Sequence, residues 1–66
     1  MKVILNGNDH LLTADNTVTS LLASLGLADK PVVVEHNKMA LFPRDYDSTV
    51  LKDDDSLEII TIAAGG

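Results

Sequence analysis

Val18, Leu21, Leu22 and Leu25 fall at i, i+3, i+4 and i+7, one apolar face of an α-helix, with Thr19, Ser20 and Ser24 turned mostly away. Thr17 is placed to cap the start, Gly26 to end the helix in a left-handed conformation, and Leu27 to fold back against it as the apolar contact of a C-terminal cap. A chain with one such helix and short β-prone runs elsewhere must bury that helix on a sheet. Burying the four-residue stripe contributes on the order of 6–12 kcal/mol before chain entropy is subtracted, so the helix is the main support expected for the sheet.

The remaining runs read as strands. Lys2-Val3-Ile4-Leu5 and Asp9-His10-Leu11-Leu12-Thr13 flank Asn6-Gly7-Asn8, whose Asn-Gly pair suits positive φ, and together they predict an opening hairpin. Pro31 breaks the chain after the helix, and Val32-Val33-Val34-Glu35-His36 is a β-branched run suited to an interior strand. Asn37-Lys38 turns it. Ala40-Leu41-Phe42 pairs briefly before Pro43, which cannot donate to a ladder. Tyr46 to Leu51 reads as a short turn or helical piece, Lys52-Asp53-Asp54-Asp55 as a polar turn, and Leu57 to Ile62 as the last strand. That strand carries Leu57 and Ile59 on one side and Ile60 and Ile62 on the other. It is therefore expected inside the sheet, one face against the helix and the other partly open as a docking surface.

Length and composition narrow the class. Sixty-six residues form one domain, because a chain this short buries only about 60% of its unfolded surface and cannot support two cores. Phe42 and Tyr46 are the only aromatics, so the core is aliphatic. The lack of cysteine removes disulfides and a thiol nucleophile, and fits a reducing compartment. Val3-Ile4-Leu5 is too short for a signal peptide's apolar region, and no stretch has the length to cross a bilayer, so the expected location is the cytoplasm. A formal net charge of -5 argues against nucleic acid and favours a positively charged protein surface as partner, although solubility accounts for the same charge.

Familiar catalytic signatures are missing. Gly7 and Gly26 stand alone, and Ser20, Ser24, Ser48 and Ser56 lack a flanking glycine elbow. His10 and His36 have no cysteine or helical His-x-x-x-His beside them, so no metal site is expected. A calcium loop starting at Asp45 fails, with Val50 at its sixth position and Ser56 at its twelfth.

What remains is Gly65-Gly66, separated from the last strand by Ala63-Ala64 alone. Two glycines pass through a channel too narrow for a side chain, and Ala63 and Ala64 are small enough to follow. A frayed end or a cloning remnant would look the same. The carboxylate of Gly66 is ionised and a poor electrophile, so it needs activation from outside. Adenylation with ATP supplies a leaving group, after which a sulfur or amine nucleophile can attack the carbonyl. The domain is then expected over residues 1–62, with 63–66 as a flexible tail.

The chain resembles the ThiS family, the ubiquitin-like β-grasp sulfur carriers of thiamin biosynthesis, over essentially its whole length. The matching pieces are Lys2 to Asn6 with its turn, Thr17-Val18 opening Leu21-Leu22-x-x-Leu25, Val34-Glu35-His36-Asn37, Pro43-Arg44, Leu51 to Asp55, Leu57-Glu58-Ile59-Ile60, and Ala64-Gly65-Gly66. The resemblance implies an α+β fold with a mixed sheet of four or five strands packed on one helix. It also implies a carrier that is not an enzyme and binds no cofactor itself. On this reading an E1-like enzyme adenylates Gly66 with ATP, a sulfur donor protein converts it to a thiocarboxylate, and thiazole synthase accepts the sulfur. Phe42, Ile60 and Ile62 are the interface residues so expected, and the free protein is expected to be a monomer. Two features depart from the family pattern: Asp54 stands where a glycine is usual, and the segment between Asn37 and Pro43 is one residue longer. The small subunit of molybdopterin synthase, a ubiquitin-like modifier of lysines and a noncovalent β-grasp binding module remain as alternatives.

Overall fold

The computed structural model describes residues 1–12 and 15–62. Strands β1 (Lys2–Leu5) and β2 (Asn8–Leu11) form the opening hairpin, in antiparallel register with Leu5 opposite Asn8. Its turn is the pair Asn6-Gly7 alone, at φ 50° and 85°, the two positive values of a tight two-residue hairpin turn. Asn8 therefore belongs to the strand and not to the turn expected from sequence. Leu11 ends the strand, and Thr13, the expected end, lies outside the described residues.

Helix α1 (Val18–Ser24) follows the apolar stripe. The Thr17 side chain accepts a hydrogen bond from the Ser20 amide at 3.1 Å. At the far end Gly26 has φ 74°, its N–H reaches the Ala23 carbonyl at 3.1 Å, and the Leu27 N–H reaches the Leu22 carbonyl at 2.8 Å. These two bonds satisfy carbonyls that the helix end would otherwise leave open, and Leu27 packs on the core as expected. Leu25, the last residue of the stripe, is the C-cap and only half-buried.

Strands β3 (Val32–His36) and β4 (Met39–Leu41) form a second hairpin around Asn37-Lys38, at φ 50° and 71°. The tight turn sets Met39 opposite His36, so β4 starts one residue before the expected Ala40 and releases Phe42. A helical turn lies at Pro43–Asp45, ahead of the expected Tyr46–Leu51, and residues 46–48 form the short turn expected there. Proline at the first position explains the shift: its fixed φ suits an opening turn, where a missing N–H costs nothing. Residues 46–51 loop back under the helix. Val50 bridges to Thr17, and the Leu51 amide donates to the Asn16 carbonyl at 2.6 Å.

Strand β5 (Ser56–Thr61) completes a five-stranded sheet in the order β2-β1-β5-β3-β4. It is central, parallel to β1 and antiparallel to β3, as its two apolar faces predict. The core is aliphatic: Val3, Val34, Leu57 and Ile59 of the sheet meet Val18, Leu21 and Leu22 of the helix, with Leu51 closing the group.

The polar turn before β5 ties two hairpins together. Its Asp54 adopts φ 68°, the left-handed conformation that a glycine takes without strain. Lys2 Nζ lies 3.2 Å from Asp54 and 3.8 Å from Asp9. The bond to Asp54, then the charge of Asp9, hold the Lys2 pKa above its ordinary value. Asp55 sits 2.7 Å from His36 Nε2, and accepts from the Asn37 side chain at 3.2 Å and from the Lys52 amide at 2.9 Å. Partial burial pushes the Asp55 carboxyl up, but the bonds from His36, Lys52 and Asn37 outweigh it and hold the pKa below the usual carboxylate value. A carboxyl depressed by folding stabilises the fold above its unfolded pKa, and that contribution fades as pH falls through the lower folded value.

Candidate functional site

The candidate site is the exit end of β5 and the sheet face beside it. Along β5 successive side chains alternate: Leu57 and Ile59 point into the core, while Glu58 and Ile60 point away from α1. Ile60 is 61% exposed and sits opposite Val33, itself 41% exposed, on β3. The same alternation carries Ile62, 51% exposed, to the Ile60 side. These three residues make an uncovered apolar strip leading toward the chain's end.

The backbone of that strand is held on both sides. On one flank β3 pairs with β5 as far as Thr61, and the Ile62 amide donates to the Pro31 carbonyl at 2.9 Å. On the other flank β1 ends at Leu5, and the Asn6 side chain takes over the pairing. Its amide donates to the Ile59 carbonyl at 3.1 Å, and its oxygen accepts from the Ile59 N–H at 2.8 Å. One asparagine thus supplies both the left-handed turn residue and a substitute strand edge. Two such bonds to part-buried backbone groups contribute about 1 kcal/mol each.

Phe42, the third expected interface residue, is 62% exposed and follows β4 directly; β3 separates it from β5, and one step past the Leu41–Val34 pair it is level with Val33. The Arg44 guanidinium lies 4.9 Å from the centre of its ring, a cation–π contact between two exposed side chains. Ala63, Ala64, Gly65 and Gly66, the expected tail and acyl-carrying residues, lie outside the described residues. Three valines in a row do not say which one faces out, and only the partners of β3 assign Val33 to the open face. Among the described residues, no group of three or more His, Asp or Glu side chains is arranged to hold a metal ion.

The family model that matches this sequence is that of the ThiS family, over residues 3–66. The chain belongs to the ThiS family. The sulfur carrier protein ThiS of Bacillus subtilis is 40% identical over 63 residues, spanning 94% of this chain and 96% of that protein. A thiazole synthase of Magnetococcus marinus is 39% identical over 66 residues, all of this chain but only 20% of that protein. The crystal structure of the thiamine biosynthesis protein ThiS of Geobacter metallireducens superposes with a TM-score of 0.81 at 32% identity, each chain covered completely. This ThiS-family domain therefore spans about a fifth of the thiazole synthase it matches. The β-grasp architecture expected from sequence is the one observed, with the sheet at five strands. No helix among the described residues is long and apolar enough to cross a membrane.

Proposed function

We propose that this chain is a sulfur carrier of thiamin biosynthesis whose Gly66 carboxylate is the reactive group. The observation that carries the proposal is the family match, which runs through β5 and on to Gly66 itself. An E1-like enzyme joins the carboxylate to AMP from ATP, with pyrophosphate leaving. The terminal sulfur of a donor protein's persulfide then attacks the carbonyl carbon and AMP leaves; a thiol next attacks the donor-side sulfur of the resulting acyl disulfide, so that a disulfide forms and Gly66 is released as the thiocarboxylate. Thiazole synthase is the proposed acceptor. The name of the Magnetococcus relative, which contains a matching domain, supports that choice over a pterin precursor.

The domain's part in this chemistry is presentation. Asn6, β3 and Pro31 hold β5 up to Ile62, so the residues beyond leave from a fixed root. Ala63 to Gly66 then act as the tail that enters a partner's cleft. Ile60 and Ile62, with Val33 beside them, are the proposed docking strip, and Phe42 with Arg44 a second contact on β4's side. The proposed setting is the cytoplasm, with the free carrier a monomer.

Gly65→Val tests the tail directly. A β-branched side chain beside the carboxylate should block its approach to the activating enzyme, abolishing ATP–pyrophosphate exchange while the thermal midpoint stays unchanged. Exchange at the wild-type rate would contradict the proposal that a narrow cleft receives the tail.

A further inference from the structure

The register of β3 against β5 sets Glu35 directly opposite Glu58. Both are exposed, and they share the open face with Val33 and Ile60, the next residues in line on that face. Directly opposed residues on antiparallel strands have Cβ atoms about 4.5–5.5 Å apart, and like charges at that spacing repel. Neighbouring strands offer no relief: Ala40 of β4 lies beside Glu35, and the Asn6 side chain is committed to the Ile59 backbone. Among the described residues every ion pair is made by Lys2 or His36, and neither glutamate takes part in one.

Two unneutralised carboxylates thus stand beside an uncovered apolar strip, on the strand that leads to the tail. We propose that Glu35 and Glu58 together grip one arginine of the enzyme that adenylates the tail, its stem lying along Val33 and Ile60. A guanidinium suits this place better than an ammonium. It is planar, carries five N–H donors that can serve two carboxylates at once, and is weakly hydrated enough to sit against apolar side chains. The inference rests on the carrier reading, and it names the contact that aligns the strand before the tail enters.

The test is ATP–pyrophosphate exchange with the ThiS-activating enzyme of the same host, comparing wild type with Glu35→Gln/Glu58→Gln over a series of sodium chloride concentrations. The double variant should raise KM for the carrier at least about tenfold, leave kcat unchanged and flatten the salt dependence of KM. Its thermal midpoint should be no lower than wild type, because a repulsion has been removed. Glu58→Gln alone provides the same comparison at half the charge change, should the double variant fold poorly. Unchanged KM and salt dependence, or a defect confined to sulfur transfer to thiazole synthase, overturns the inference and leaves the carrier reading standing. A wild-type chain that supports no exchange overturns both.

Discussion

Neighbouring side chains of β5 meet opposite surroundings. Leu57 and Ile59 are 0% and 7% exposed under the helix, whereas Ile60, chemically the twin of Ile59, is 61% exposed on the far side. Hydrophobicity alone cannot account for both. One short helix covers a single face of a five-stranded sheet, so an apolar residue on the other face gives folding much less than one beneath the helix. The buried face holds the domain together, and the open face carries the docking strip proposed above.

The largest effect that could break this contrast lies on the covered side. Leu57→Ala removes a fully buried side chain at the centre of the sheet and should cost about 2–5 kcal/mol, read from the urea midpoint. A loss well under 1 kcal/mol would mean that the core is not centred where the packing puts it. A substitution on neither face calibrates the scale: Asp54→Gly relieves a left-handed non-glycine residue and should stabilise by about 1 kcal/mol, partly offset by the lost pairing with Lys2. An unchanged midpoint would show that the Lys2 contact matches the strain. Ile60→Ala should be the mildest for folding, within about 0.5 kcal/mol of wild type, yet it should raise KM in the adenylation assay. If Ile60→Ala destabilises as much as Leu57→Ala, the two faces are not distinct.

Much of this arrangement was legible in the sequence because local chemistry decided it. Asn6-Gly7 wrote the first hairpin, Thr17 and Gly26 bracketed the helix, and the two-sided apolar pattern of residues 57–62 placed β5 inside the sheet. The errors fell where distant partners decide. Leu51 is 1% exposed although it sits alone beside a charged turn with no periodicity around it, and only the pairing of residues 49–51 with the segment before the helix brings it inward. Pro43 stands past the end of β4 and also starts a helical turn. The facing of Glu35 and Glu58 depends on strand register, which no single segment specifies. Of the expected site, Ile60 and Ile62 share a face, and Phe42, one step past the Leu41–Val34 pair, is level with Val33 on the β4 side.

The central claim is the proposed chemistry at Gly66, and intact mass spectrometry reads it most directly. After incubation with ATP, the activating enzyme and a sulfur donor, the carrier should gain the mass difference between sulfur and oxygen, localised to Gly66 by fragmentation. An unchanged mass, with the same enzymes loading another ThiS-family carrier, would contradict the account.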